Sequence, residues 1–302
     1  MLTISNILKM EHKAGFVNII GNPNVGKSTL MNKLVGEKLS IITSKAQTTR
    51  HRIMGIVNGE NFQIVYSDTP GIIEPHYKLQ QKMLRFVNLA LEDADVILYV
   101  TDLREKYDKH EQYIEKLKKT DVPVILLVNK IDLAKENEVE DLLKKWKELL
   151  PQAHITPVSA LHGYYLPEVF EKIMELLPEN PPYYPKDALT DKPERFFVSE
   201  IIREKIFLQY RKEVPYSTEV QIEEFKEEEK IIRIRAIIYV LRKSQKGIII
   251  GKKGEALKKI GTLAREDLEA LFDKKVFLEL YAKVSNDWRD KEGFLRSSGY
   301  NV

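Results

Sequence analysis

Gly21-Asn22-Pro23-Asn24-Val25-Gly26-Lys27-Ser28 fits the pattern G-x-x-x-x-G-K-[ST], and its flanks fit as well. Phe16 to Ile20 is an apolar, β-prone run, and Thr29 to Val35 reads as the start of a helix. A phosphate loop needs this order of strand, glycine turn and helix N-terminus. Glycine lets the backbone approach an anion closely, and the helix end offers unpaired N–H groups and a partial positive charge. In such a loop Lys27 reaches the β- and γ-phosphates and the Ser28 hydroxyl meets Mg²⁺. The motif alone does not choose between ATP and GTP.

The 302 residues allow two domains, and 43% hydrophobic residues suffice for a sizeable core. No apolar run approaches the ~18 residues that a membrane span requires. Met1 to Lys13 is short and mixed and does not read as a signal peptide. The absence of cysteine excludes disulfides, thiolate metal sites and cysteine nucleophiles, and fits a reducing cytoplasm. Net charge is only +3, but Leu241 to Ile260 carries seven cations against one anion, Glu255. Such a local stripe is an electrostatic footprint for nucleic acid.

After the phosphate loop, Lys38 to Arg52 reads as a polar loop containing Gln47-Thr48-Thr49-Arg50. Ile53 to Val57 and Phe62 to Tyr66 flank Asn58-Gly59, a hairpin signal. The second strand leads into Asp68-Thr69-Pro70-Gly71, where the Asp can hold Mg²⁺ through water and the Gly71 N–H can meet a γ-phosphate. Leu79 to Leu91 is helical, Val96 to Val100 a buried-type strand, and Lys109 to Lys119 helical. Strand Val122 to Val128 opens onto Asn129-Lys130-Ile131-Asp132. Guanine offers a donor edge that the Asp132 carboxylate can accept in bidentate fashion, and adenine lacks it. Asn129 can bond the purine's other edge and neighbouring loops, and the Lys130 stem can lie over the base. A helix from Val139 to Leu150 follows. At Ser159-Ala160, after Ile155 to Val158, a free N–H can close on the guanine carbonyl. The alternation of strands and helices predicts a doubly wound, mostly parallel α/β sheet, with every marked residue at a strand end or just beyond it.

These segments, in this order, resemble a translation-factor-class small GTPase. The resemblance gives base recognition to Asn129, Lys130 and Asp132 with support from Ser159 and Ala160. It makes Asp68 to Gly71 the second switch and puts the first-switch threonine at Thr48 or Thr49 within Gln47-Thr48-Thr49-Arg50, with Thr49, which precedes the arginine, preferred as the Mg²⁺ ligand. One departure stands out: where many such GTPases place a water-orienting glutamine, this chain has Ile72. Slow intrinsic hydrolysis is therefore expected. Asn24, in a Pro-Asn loop like that of potassium-using relatives, is a candidate ligand for K⁺.

Pro178 to Pro185 holds four prolines and reads as a semi-rigid connector. Beyond it, Arg195 to Arg211 is helical, Glu219 to Phe225 and Ile231 to Leu241 form a hairpin, a helix covers Glu255 to Phe272, and Val276 to Ala282 is a third strand. Between hairpin and helix lies Lys246-Gly247-Ile248-Ile249-Ile250-Gly251-Lys252-Lys253-Gly254. Two glycines allow a phosphodiester to pass close by, Lys252 and Lys253 supply charge, and Ile248, Ile249 and Ile250 can wall a groove for unstacked bases. The α-β-β-α-α-β order with G-x-x-G resembles an α+β type II KH domain, a clamp for about four nucleotides of single strand. The tail, Val284 to Tyr300, with Trp288 and Phe294, can pack across an RNA groove or dock as a helix, and the sequence does not decide, although an aromatic here is more often core than a stacking platform.

A GTPase domain (15–180) after an extension (1–14), then a linker (181–197) and a type II KH domain with its tail (198–302), resembles the Era family. The resemblance implies GTP hydrolysis to GDP, Mg²⁺ as cofactor, binding to the 3′ end of 16S ribosomal RNA, and a role in 30S subunit assembly. It also implies a cytoplasmic protein with peripheral contact at the inner membrane face, and a monomer is expected. Two other readings stay open here: an RNA-binding protein whose nucleotide site is purely structural, and a membrane-associated signalling GTPase.

Overall fold

Strand β1 (Lys13–Gly21) runs through the middle of a six-stranded sheet and delivers the chain to the phosphate loop. The structure, a computed structural model, describes residues 12–105 and 111–302. It divides into two compact units. The first holds the described residues up to Ser40, with His51–Ile73 and Phe86–Asp191. The second holds Ile41–Arg50, Glu74–Arg85 and Lys192–Val302.

In the first unit, β1 is followed by α1 (Lys27–Val35), β2 (Ile53–Asn58) and β3 (Phe62–Asp68). Helix α2 (Lys78–Glu92), which counts with the second unit up to Arg85, comes next, then β4 (Val96–Asp102), α3 (Glu111–Lys119), β5 (Val124–Asn129), α4 (Glu136–Leu149), β6 (His154–Pro157) and α5 (Leu166–Leu176). The expected start of α3 at Lys109 lies outside the described residues. The sheet order is β2-β3-β1-β4-β5-β6, and only β2 is antiparallel to its neighbour. Strands β1, β3, β4 and β5 are buried almost throughout, as an apolar strand covered on both faces must be. Because four neighbours run in parallel, the ends of β1, β3, β4 and β5 bring Gly21, Asp68, Asp102 and Asn129 to one edge.

The proline-rich stretch is not a free connector. The amides of Tyr183 and Tyr184 donate to Gln63 Oε1 at 2.7 and 2.9 Å. Ile56 N–H donates to the Leu189 carbonyl at 2.8 Å, and the Thr190 hydroxyl to that of Met54 at 2.6 Å. The bonds from Leu189 and Thr190 satisfy backbone groups on the outer side of β2, an edge strand that would otherwise present them open. The following helix begins at Glu194, so the linker expected over 181–197 is shorter than its sequence reading.

The second unit contains α6 (Glu194–Gln209), β7 (Thr218–Glu227), β8 (Ile231–Val240), α7 (Lys243–Ile250), α8 (Glu255–Phe272), β9 (Lys275–Val284) and α9 (Glu292–Ser297). Its sheet order is β7-β8-β9, antiparallel then parallel. Val198, Ile202 and Ile206 of α6, Ile260, Ala264 and Leu268 of α8, and Ile234 and Ile238 of β8 form its core. Trp288 is buried and donates its indole N–H to the Ser217 carbonyl at 3.1 Å, so this tail aromatic is core.

Arg50, expected in a polar loop, is fully buried in this unit. Its guanidinium donates to the carbonyls of Thr218 (2.8 Å) and Pro215 (3.2 Å) and pairs with Glu219 Oε2 at 2.9 Å. Tyr300 donates to the same carboxylate oxygen at 3.1 Å. The rings of Phe207 and Trp288 lie 5.7 and 5.9 Å from the guanidinium carbon. Thr48 is fixed nearby, its carbonyl accepting from Arg203 Nη2. Glu219→Ala would strand the buried guanidinium and is expected to cost about 3–5 kcal/mol. Urea denaturation followed by Trp fluorescence checks this, and the double change Arg50→Met/Glu219→Leu should cost less than Glu219→Ala alone.

Candidate nucleotide and nucleic-acid sites

The turn from β1 into α1 is shaped by absent side chains. Gly21 has φ 147°, and a Cβ there would stand 2.1 Å from the Val100 carbonyl oxygen. Gly26 caps α1 at φ 100°, and a Cβ there would stand 2.2 Å from Asn129 Nδ2. No side chain caps α1, so its first N–H groups face the loop. Lys27 is buried, and its ammonium donates to the carbonyls of Gly21 (3.0 Å) and Asn22 (2.8 Å). Burial lowers its pKa to about 8, against the opposing pull of Asp68 and Glu105. A polyanion beside it would restore the charge.

Ser28 Oγ donates to Asp68 Oδ2 at 2.7 Å. A hydroxyl and a carboxylate oxygen at one point are hard donors of the kind Mg²⁺ takes, with few protein ligands and the rest from water and phosphate. Thr49 is buried and belongs to the second unit. Thr69 is buried, its hydroxyl donating to the Ile19 carbonyl at 2.7 Å, which fixes the turn after β3. A Cβ on Gly71 would meet Pro23 at 2.7 Å, so only glycine fits beside that proline. Ile72 has no exposed surface and its N–H donates to the Gly21 carbonyl at 3.2 Å. It packs the second loop against the first, and an aliphatic side chain has no group to orient water. Asn24 is exposed with φ 67°.

The base-recognition tetrad is assembled by cross-loop bonds. Asn129 Nδ2 donates to the Val25 carbonyl at 2.7 Å while its Oδ1 accepts from Ala160 N–H at 2.9 Å. The Ala160 amide thus ties its loop to Asn129. Ser159 Oγ donates to Asp132 Oδ1 at 2.6 Å and holds the carboxylate in place. Lys130, at φ 67°, sends its ammonium to the Asn24 carbonyl (2.5 Å) and to Asp102 Oδ2 (2.6 Å), which stretches its stem beside the tetrad. Asp102 escaped the sequence reading. Its signal was a carboxylate closing the buried strand β4, in register with Asn129 of β5.

In the second unit, the G-x-x-G tetrad forms the turn between α7 and α8. Gly251 has φ 72°, and a Cβ there would stand 2.5 Å from Ala256 Cβ. Gly254 has φ 82° and nothing within 4 Å of a Cβ, so it faces open space at the N-terminus of α8. Lys252 and Lys253 are exposed, and Lys246 is half-buried. Beside the tetrad, Leu257 and Gly261 of α8 and Leu278 and Leu280 of β9 line a groove of about 370 Å³, rimmed by Lys258 and Arg265. The expected isoleucine wall is thus corrected: Ile249 is core, Ile250 packs on that core, and Ile248 alone is exposed, at 46%. Successive residues of a helix point about 100° apart, so three in a row cannot line one wall.

The Asp132 carboxylate can be tested directly. Asp132→Asn exchanges an acceptor pair for a mixed donor and acceptor. GTP affinity is expected to fall roughly 100-fold or more, with preference moving toward xanthosine nucleotides, as measured by competition binding.

Residues 16–130 match the family described as 50S ribosome-binding GTPase, and residues 213–289 match the KH domain family. GTPase Era of Staphylococcus haemolyticus (strain JCSC1435) is 44% identical over 292 residues, covering 96% of this chain and 98% of that protein. The crystal structure of Era in complex with MgGDPNP and nucleotides 1506–1542 of 16S ribosomal RNA superimposes with a TM-score of 0.92 at 42% identity. It covers 96% of this chain and all of that one. A single-residue variant of Aquifex aeolicus Era bound to GDP·AlF4⁻ gives the same TM-score, identity and coverage. Among the described residues no helix is long and apolar enough to cross a membrane. A G-x-x-x-x-G-K-S loop bonded to Asn129 of the Asn129-Lys130-Ile131-Asp132 tetrad, a KH unit downstream, and this degree of identity across nearly the full length place the chain in the Era family of GTPases.

Proposed function

We propose that this GTPase is a switch whose second unit binds the 3′ end of 16S ribosomal RNA in support of 30S subunit assembly. The observation that carries the RNA half is the exposed Gly251-Lys252-Lys253-Gly254 turn beside the apolar groove between α8 and β9. Phosphodiester can pass over the glycines and the α8 N-terminus, while unstacked bases enter a groove of aliphatic walls with a cationic rim. The relative in complex with nucleotides 1506–1542 of 16S ribosomal RNA supports this choice of RNA.

At the nucleotide site, the backbone of Gly21 to Gly26 and the Thr29 end of the loop cradle the phosphates, and Lys27 neutralises them. Gly71 N–H serves as the sensor of the γ-phosphate. Asp132 accepts from guanine, with Ser159 fixing its orientation. Ser28 and Asp68 would hold Mg²⁺, which when bound neutralises charge on the β- and γ-phosphates, and Thr49 is the residue assigned as its first-switch ligand. Buried Ile72 leaves the attacking water without a side chain from that position, so intrinsic turnover is slow. Asn24 is the residue assigned to K⁺, whose charge would substitute for an arginine finger.

Gly251→Asp/Gly254→Asp places carboxylates where phosphate must pass. Binding of a 16S 3′-end oligonucleotide should fall by roughly 100-fold or more with GTP affinity unchanged, and undiminished RNA binding would remove the KH assignment. Hydrolysis by the full chain should run faster, by about tenfold, in K⁺ than in Na⁺ at equal ionic strength. Equal rates would dismiss the role given to Asn24.

A further inference from the structure

Glu105, three residues beyond the end of β4, belongs to none of the nucleotide-binding motifs. Its carboxylate nevertheless reaches into the phosphate loop. One oxygen accepts from Asn22 Nδ2, inside the G-x-x-x-x-G-K-S motif, and the other accepts from the Thr101 hydroxyl. Thr101 is fully buried and Asn22 nearly so. Asn22 Oδ1 is buried without a hydrogen-bond partner among the described residues, so it is the bond to Glu105 that holds this side chain, while Lys27 holds the backbone carbonyls of Gly21 and Asn22. The ammonium of Lys27, bonded to the Asn22 carbonyl, lies within electrostatic reach.

We propose that Glu105 is a positioning residue of the phosphate loop and that nucleotide binding is coupled to uptake of a proton by its carboxyl group. The inference rests on the loop being the GTP site. A carboxylate tied to the loop that receives a polyphosphate is repelled by it, and protonation relieves the repulsion while leaving an oxygen to accept from Asn22.

The charges around Glu105 set the sign. Burial pushes its carboxyl up to about 7, and Asp102 adds to the rise, whereas the Thr101 hydrogen bond and Lys27 oppose it. Tyr99 lies buried beneath and stays neutral, its phenol pushed upward by burial. Lys130 is paired to Asp102 and Asp68 faces Lys27. An added polyanion raises the carboxyl further. The protonated form therefore predominates in the complex, and affinity declines as pH rises past 7. Each unit by which the bound value exceeds the free one weakens binding up to about tenfold on the alkaline side. Lys27 also regains a proton on binding, so the comparison must be between variants rather than within one pH profile.

The test is calorimetric titration of the full chain with GDP and Mg²⁺, in buffers of different ionisation enthalpy, at pH 6, 7 and 8. Glu105→Gln keeps an acceptor for Asn22 but cannot titrate. It should take up fewer protons than wild type at pH 7 and 8. It should bind GDP about equally at pH 6 and severalfold more tightly at pH 8. Glu105→Ala releases Asn22 and should weaken binding at every pH, by about tenfold. Equal proton uptake by wild type and Glu105→Gln, or undiminished binding by Glu105→Ala, overturns the proposal. Failure of the wild-type chain to bind GDP overturns the nucleotide-site reading and this inference with it.

Discussion

The amide of Asn129 occupies a point that three loops must share. One end holds the Val25 carbonyl of the phosphate loop, and the other holds the Ala160 amide of the last base-recognition loop. Gly26 must lack a side chain because that amide lies where its Cβ would be. One side chain thus ties the glycine loop to the loop at Ala160 through both ends of its amide. Prior ordering of this kind lowers the cost of binding.

Around that staple lie polar groups, from buried to exposed, that bond one another. Lys27 lies on two loop carbonyls, Ser28 on Asp68, Lys130 on Asp102 and Ser159 on Asp132. Each contact holds a side chain of one loop against a neighbour in another or in its own. The parallel sheet makes this arrangement possible, because β1, β3, β4 and β5 end at one edge and deliver their loops together. Ile72 fits the same logic from the apolar side: it closes the second loop onto Gly21 and gives up the polar group that would orient water.

The second unit solves a similar problem with different parts. Its G-x-x-G turn needs Gly251 for space and leaves Gly254 with an open approach, and Gly261 of α8 lines the groove beside it. The same unit buries Arg50 between two aromatic rings and pairs it with Glu219. A buried ion pair of this kind contributes less to net stability than to fixing one arrangement of the chain, since either partner alone would be costly. Here it fixes Arg50, while Arg203 holds the carbonyl of Thr48 beside it.

Much of this was written in the sequence. The phosphate loop, Asp68 to Gly71, the Asn129 tetrad and G-x-x-G are local patterns, since glycine at a tight turn and apolar residues along a strand depend mainly on the backbone nearby. The order of strands and helices likewise follows from periodicity. Contacts between distant segments have no such signature. Asp102 and Glu105 are ordinary carboxylates until β4 is laid beside β1 and β5. Arg50 reads as a loop cation until Glu219, far along the chain, closes on it. Ile249 reads as one of three equivalent isoleucines until the helix turns it inward. Sequence determined which chemistry each segment carries; the tertiary structure alone decided which charges are buried together, because burial and pairing depend on distances that no local spacing encodes.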